Sequence, residues 1–219
     1  MDRRQFLQAS SIIVMAACLP GRLRAAEKKK LYLQPMGVKL SDKDVAMVKE
    51  ALREFYAFEV VDLPRIKMPK SAWYSPRKRW RAEKILDVLE ELAPKDAHRI
   101  LGLTGQDIST TKGKYEDWGV MGLASIDGLA GVMSMLRCRK SARNRKHARI
   151  RFAKVAVHEI GHTLGLPHCP TRGCLMEDAK GRASTCDREY DFCDNCRKAL
   201  KKWNRPIPAF PKIPWPRPK

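Results

Sequence analysis

Residues 158–168, His-Glu-Ile-Gly-His-Thr-Leu-Gly-Leu-Pro-His, combine side chains that can bind a metal ion with one that can carry a proton. His158 and His162 are four residues apart, so on an α-helix they lie about 40° apart on one face and can reach the same ion. Glu159 lies about 100° around the helix, where it can accept a proton from a water bound to that ion. His168 cannot join them by continuing the helix, because six more residues would carry it about 9 Å along the axis.

The chain must therefore turn back between the second and third histidines, and the sequence supplies the residues for that turn. Gly165 can adopt the left-handed conformation that ends a helix, and Pro167 prevents the helix from resuming. Three imidazoles around a tetrahedral ion leave its fourth position open, which is typical of a catalytic zinc site. The alternative is an amphipathic helix with incidental histidines, but three of the chain's five histidines fall on the three ligand positions.

Four cysteines follow with the spacing of a second metal site. They are Cys169, Cys174 and the Cys-x-x-Cys pair Cys193 and Cys196. Two pairs of thiolates suit a closed, tetrahedral structural zinc, so we expect two zinc ions per chain; two disulfides are the alternative. Because the first of these cysteines adjoins His168, the second zinc should fix the third histidine, and folding here should depend on metal. Cys138 and Cys186 are left as free thiols, with Cys186 a weaker rival ligand.

Strands and helices alternate in the upstream sequence that must position these residues. Short apolar runs that stop at prolines, glycines or loops predict three strands, at 31–35, 59–63 and 99–104. Apolar residues at helical spacing predict two helices, from Asp42 to Phe58 with Ser41 as cap and from Pro76 to Leu92. Further along, we expect strands at 119–124 and 132–136 and the zinc helix at about 143–164.

This order of elements predicts one mixed α/β (α+β) domain, residues 27–205, with the zinc helix packed against its sheet. Residues 64–75 are predicted to be a loop. Residues 137–151 contain eight Lys or Arg and could form either a basic loop or the exposed first turns of the zinc helix. Residues 206–219 contain six prolines, which predicts an extended, mobile tail that could instead bind a partner or the domain's own surface.

Residues 1–26 are predicted to be an export signal that is not part of the fold. Arg3-Arg4-Gln5-Phe6-Leu7 resembles a twin-arginine signal, and a short apolar run, 12–19, and small residues follow it. Residues 14–18, Val-Met-Ala-Ala-Cys, resemble a lipoprotein box, in which Cys18 would carry the lipid. The mature protein is accordingly expected in the periplasm or cell envelope.

The composition is strongly basic, with 44 Lys and Arg against 24 Asp and Glu and a formal net charge of +20. Such an excess favours an anionic surface as partner, such as lipid or cell-wall polymer, although a solvated basic surface is the alternative. The aromatic fraction is 7%, and aromatic and basic residues do not alternate in a repeated pattern, so no specific nucleic acid is expected. At 219 residues the chain suits one domain, which we expect to be a monomer.

The motif residues together resemble the archaemetzincins, a branch of the metzincin zinc peptidases. The matching positions, in order, are His158, Glu159, His162, Gly165, His168, Cys169, Cys174, Met176, Cys193 and Cys196. The spacer between Met176 and Cys193 is sixteen residues, one shorter than the family's usual spacing. Upstream segments are similar more loosely, at Tyr74, 77–80, Asp107, 119–124 and 133–137. The resemblance covers most of residues 31–197, and its specific part is 158–196.

The resemblance implies a metzincin-like domain, with a twisted mixed sheet, an antiparallel edge strand near 119–125 to which an extended peptide adds, and a methionine turn at Met176. It implies zinc-dependent hydrolysis of a peptide or protein substrate, with Glu159 as general base. Aminopeptidase-like action is one option, and the resemblance leaves the choice between exo- and endopeptidase open. The alternative is a non-catalytic, zinc-containing protein that binds peptides or polyanions. An intact Glu159 argues against that alternative, because a pure binder does not need the base.

Overall fold

The computed structural model describes residues 28–38, 40–203, 205, 207–208 and 211–218. The predicted export signal, residues 1–26 with Cys18, lies outside the described residues. Within the described ranges, none of the helices combines the length and the apolar character needed to cross a lipid bilayer.

Nine strands and five α-helices make up the described part of the chain. In chain order they are β1 (Lys30–Met36), α1 (Asp42–Phe55), β2 (Glu59–Asp62), β3 (Trp73–Tyr74), β4 (Arg79–Arg81), α2 (Ala82–Leu92), β5 (Ala97–Thr104), β6 (Ile108–Lys112), β7 (Tyr115–Val120), β8 (Gly122–Ala124), β9 (Ala130–Ser134), α3 (Met135–Arg139), α4 (Arg145–Thr163) and α5 (Asp194–Lys202). The main sheet has the order β2-β1-β5-β9-β8. Its first four strands are parallel, and β8 pairs antiparallel with β9. The predicted mixed α/β fold with an antiparallel edge strand is therefore confirmed.

Helices cover both faces of the main sheet. Side chains alternate across a strand, so Leu31 and Leu33 of β1 pack with α1 and α4, while Tyr32 and Met36 pack with α2 on the opposite face. Ser41 caps α1 as predicted, since its side chain accepts from the N–H of the third helical residue, whose carboxylate accepts from the Ser41 N–H in return. This layered core gives α4 a rigid support.

A second, smaller sheet, which the sequence did not lead us to expect, has the order β3-β4-β6-β7. Asp107, just before β6, connects it to the rest of the domain. Its carboxylate accepts from Nε of Arg137 in α3 at 2.6 Å and pairs with Nε of Arg79 in β4 at 2.9 Å. Three of the loosely similar upstream segments thus meet in one ion cluster that fixes the second sheet against α3.

Several predicted boundaries are wrong because strand pairing overrides the local pattern. Residues 73–74, assigned to a loop, and 79–81, assigned to a helix, pair as β3 and β4, so α2 begins only at Ala82. The single strand predicted at 119–124 divides at Met121, since β7 pairs with β6 and β8 pairs with β9. The strand predicted to Leu136 ends at Ser134, where α3 begins, and α1 ends at Phe55 rather than Phe58.

The prediction of a mobile tail is wrong for residues 211–218, which lie against the domain. Trp215 is only 4% exposed, and its ring stacks on Phe55 with centroids 5.3 Å apart. Its indole N–H donates to the carbonyl of Tyr190 at 2.9 Å. The alternative from the sequence, binding to the domain's own surface, is the one observed.

Candidate active site

Helix α4 carries the first two histidines and is fixed at both ends. The Asn144 side chain accepts from the N–H of His147 at 2.9 Å and begins the helix. Gly165 has a φ of +98°, in the left-handed region that favours glycine, and the chain turns back after it. The turn predicted between the second and third histidines is therefore present.

The structure brings the three predicted histidine ligands together. Their ring centroids are 4.6, 4.8 and 5.4 Å apart, and one nitrogen from each ring lies within 4.8 Å of the others. Nδ1 of His158 bonds to the carbonyl of Leu175 at 2.6 Å, and Nδ1 of His162 to the carbonyl of Leu166 at 2.7 Å. Because a carbonyl only accepts, each Nδ1 is the donor, and each Nε2 keeps its lone pair for a metal ion.

Burial also keeps two of these rings neutral. It lowers the pKa of His158 to about 3 and the pKa of His162 to about 4. Neutral imidazole is the form that binds zinc. His168, by contrast, is exposed at the cleft. The three donors therefore fit a zinc ion in their number and their type, and the two buried rings fit it in their protonation state.

Glu159 projects from α4 between the histidines and strand β8. It is 5% exposed, and burial raises the pKa of its carboxyl to about 8. A metal ion in the adjacent histidine cluster would lower that value again through its positive charge. A Cβ added to Gly122 would lie 2.6 Å from Cδ of Glu159, so only glycine allows β8 to pass this close to the carboxylate.

The four predicted cysteine ligands also converge. The Sγ atoms of Cys169 and Cys193 are 3.6 Å apart, and those of Cys174 and Cys196 are 3.8 Å apart. A disulfide requires about 2.05 Å, so the alternative of two disulfides is excluded for these pairs. Four thiolates around a tetrahedral zinc with Zn–S bonds of about 2.3 Å would be separated by about 3.8 Å. The cluster therefore fits a structural zinc in spacing and in donor type.

Backbone N–H groups favour the thiolate form in this cluster. Cys174 Sγ accepts from the N–H of Cys193 at 3.4 Å and from the N–H of Met176 at 3.5 Å. The hydrogen bond from Cys196 contributes most, and together with these N–H groups it lowers the pKa of Cys174. Cys186, the rival ligand, lies outside the cluster, and burial holds the pKa of its thiol well above the usual range.

The segment between the two clusters contacts both of them. The N–H of Cys169 donates to the carbonyl of Met176 at 2.7 Å, and Leu175 holds His158 through its carbonyl. Met176 is fully buried, and a Cβ added to Gly161 would lie 2.5 Å from its Sδ. The methionine thus packs directly against the zinc helix, where the resemblance placed a methionine turn.

A cavity of about 370 Å³ opens beside the histidines. Its walls are α4, the edge strand β8, the β6–β7 hairpin and the segment 177–189. Trp118 of β7 reaches across to Gly181, where an added Cβ would lie 3.0 Å from its ring. Sequence analysis missed Trp118, Glu177 and Glu189 as cavity residues, because only the folded chain brings them beside α4 and none belongs to a local motif.

Comparison with known proteins agrees with this geometry. Residues 30–202 match the family model of Peptidase family M54. The chain belongs to this family. An archaemetzincin of Archaeoglobus fulgidus is 28% identical over 172 residues, which cover 78% of this chain and 99% of that protein. An archaemetzincin of Halobacterium salinarum is 29% identical over 157 residues, covering 68% of this chain and 87% of that protein.

Solved archaemetzincin structures have the same fold. The crystal structure from Methanopyrus kandleri has a TM-score of 0.71 at 27% identity and covers 83% of this chain and 98% of that chain. The structure from Archaeoglobus fulgidus, complexed with malonate, has a TM-score of 0.65 at 30% identity and covers 77% and 98%. This member of family M54 is thus a zinc metallopeptidase, and the predictions of hydrolase activity and a zinc requirement are confirmed.

The prediction of export is wrong. The curated relatives are archaeal archaemetzincins, a group that is typically cytoplasmic, and this overturns the periplasmic or cell-envelope location and the lipid anchor at Cys18. Two adjacent arginines before a short apolar run are a weak signal of export. Pairs of basic residues are expected by chance in a chain with 44 Lys and Arg.

Proposed function

We propose that this archaemetzincin hydrolyses peptide bonds at the histidine cluster and carries two zinc ions. In this proposal His158, His162 and His168 hold the catalytic zinc. The second, structural zinc is held by Cys169, Cys174, Cys193 and Cys196. The observation that carries the proposal is the convergence of three imidazole donors, two of them kept neutral by burial, beside one buried carboxylate at a cavity.

Zinc bound in this site would polarise the scissile carbonyl and lower the pKa of a water toward roughly 7. Glu159 accepts the proton of the attacking water on a carboxylate oxygen and passes it to the leaving amine. Its burial excludes competing solvent, and Gly122 of β8 brings the substrate-binding edge close to the carboxylate. A general base of this kind contributes about 10²- to 10⁴-fold to a rate.

Strand β8 is the proposed binding edge for the substrate. It lies at the end of the main sheet, and in the described part of the chain no strand pairs with its outer edge. An extended peptide can add to such an edge through backbone hydrogen bonds, which places its scissile bond beside Glu159. We propose aminopeptidase-like action on such peptides. Cleavage of an unblocked peptide but not of its N-acetylated form would distinguish this action from internal cleavage.

We also propose that the chain acts as a monomer. Its net charge of +20 is proposed to favour binding to anionic surfaces.

The test is Glu159→Gln, which keeps the shape of the side chain and removes the base. We expect hydrolysis of a peptide mixture, followed by mass spectrometry, to fall to background while zinc content and thermal stability stay at the wild-type level. A variant that cleaves as well as wild type would contradict the mechanism. Wild-type protein that binds peptides and cleaves none of them would favour the non-catalytic alternative.

A further inference from the structure

The cavity continues beyond the reacting groups along α4. Val155 lies four residues before Glu159 on the same side of the helix, about 6 Å further along the axis. It lines the cavity together with Cys186 and Glu189. All three are buried, whereas the lysines at the mouth, Lys112 and Lys180, are exposed. The deep end of the cavity is therefore shielded from solvent, and its mouth is open to it.

Glu189 presents a carboxyl group to this deep end. It is 2% exposed, it contacts the thiol of Cys186, and within the described residues none of the salt bridges includes it. Burial raises its pKa to about 8, although the charge of Lys154 opposes that rise. A cationic group that enters the cavity would stabilise the ionised carboxylate, and the resulting ion pair would be shielded from solvent.

Glu189 is the acidic group at the deep end of the cavity. Asp178 also lines the cavity, but its carboxylate lies among the charges of His168, Lys112 and Lys180 at the mouth. The ammonium of Lys154 is bound to the backbone carbonyls of Cys186, at 2.8 Å, and Glu189, and Lys154 does not line the cavity. Glu177 does line it, but Arg188 pairs with its carboxylate and the N–H of Gly173 donates to it at 2.8 Å. The ammonium of Lys154 and the carboxylate of Glu177 therefore already have hydrogen-bond partners within the protein.

We propose that Glu189 determines specificity by selecting substrates with a lysine or arginine side chain next to the scissile bond. The proposal rests on peptide hydrolysis at the histidine cluster. The methylene groups of such a side chain would pack on Val155 and Leu123, and its cationic end would bond to Glu189. A leucine in the same place would leave the carboxyl group without a partner, which rejects it.

The test compares peptides that differ only at the two positions flanking the scissile bond, with arginine, lysine, leucine or glutamate at each. We expect the wild-type enzyme to cleave the arginine or lysine peptides at one of these positions with a kcat/KM roughly 30-fold above that of the leucine peptide, because the ion pair is buried. In Glu189→Gln this ratio should fall to about 1, with hydrolysis of the leucine peptide retained. Equal wild-type rates for the leucine and arginine peptides at both positions would overturn the proposal.

Glu177→Gln is the matched control, since it makes the same chemical change on another wall of the cavity. We expect it to keep the wild-type preference for cationic side chains; loss of the preference in both variants would contradict a specific role for Glu189. Binding of n-butylguanidinium, followed by ligand-observed NMR in the Glu159→Gln background, separates this inference from the proposed hydrolysis. Binding that disappears on adding Glu189→Gln supports the pocket even if no peptide is cleaved, and absence of binding in the parent contradicts it.

Discussion

Two of the three histidines project from a buried helix, whereas all four cysteines lie on loops or at the start of α5. Helix α4 packs on the main sheet and on α1, and backbone carbonyls orient both of its rings. Residues 164–193 have only one short 3₁₀ turn, Ala183–Asp187, as regular helix. The core can thus arrange the histidines before metal binds, but the cysteine segment depends on its own cluster for much of its structure.

This contrast predicts that removing a cysteine has a larger structural effect than removing a histidine. For Cys193→Ser we expect the free energy of unfolding to fall by more than about 4 kcal/mol, because the structural metal is lost. Activity should disappear as well, since Cys169 adjoins His168. Thermal unfolding and zinc analysis measure both effects.

Cys138→Ala is the control, because Cys138 is fully buried but lies outside the cluster. It should keep its zinc and lose about 1 kcal/mol, as a typical buried substitution does. A Cys193→Ser variant that binds two zinc ions and unfolds at the wild-type temperature would contradict a structural role for the cysteines.

The histidine cluster should show the opposite behaviour. For His162→Ala we expect zinc to fall from two ions per chain to about one and peptide hydrolysis to fall at least roughly a thousandfold, because the metal is needed for the reaction. The unfolding temperature of the metal-depleted protein should change little. His98→Ala, at a half-buried histidine outside both clusters, should keep both zinc ions and full activity. One zinc ion in wild type would put the cysteine site in doubt.

The same contrast explains what could be predicted from the sequence. The ligands themselves follow from local spacing: His158 and His162 share a helical face, and Gly165 supplies the turn to His168. The mixed fold follows from the alternating apolar segments. The division of residues 119–124 into two strands at Met121 does not follow from the local sequence. It arises because β7 pairs with β6 and β8 pairs with β9. Helix α5 was missed for a related reason, since only a few of its residues, including Cys196 and Leu200, face the core.

The tail was also misjudged, because proline content describes the backbone and does not reveal a partner surface. Trp215 supports the cysteine segment from outside: it bonds to the carbonyl of Tyr190, whose N–H bonds to the carbonyl of Gly173. We expect Trp215→Ala to lower the free energy of unfolding by about 3 kcal/mol through the cavity it creates. Chemical denaturation measures this loss, and Trp203→Ala, at an exposed tryptophan, is the control. Equal stability of Trp215→Ala and wild type would mean that the tail contributes nothing to this segment.

The smallest predicted effect tests the histidine cluster through a substitution that leaves all three histidines in place. Gly122→Ala introduces a Cβ that would lie 2.6 Å from both Cγ and Cδ of Glu159, so the carboxylate or β8 must move. A displacement of about 1 Å in a reacting group can cost about a hundredfold in rate, and we expect kcat to fall by about tenfold to a hundredfold with two zinc ions still bound. Gly113→Ala is a control in which the added Cβ meets no atom within 4 Å, although its φ of +56° carries some strain. If Gly122→Ala keeps the wild-type kcat, the close approach of β8 is not what positions the base, and the buried face of α4 must do so alone.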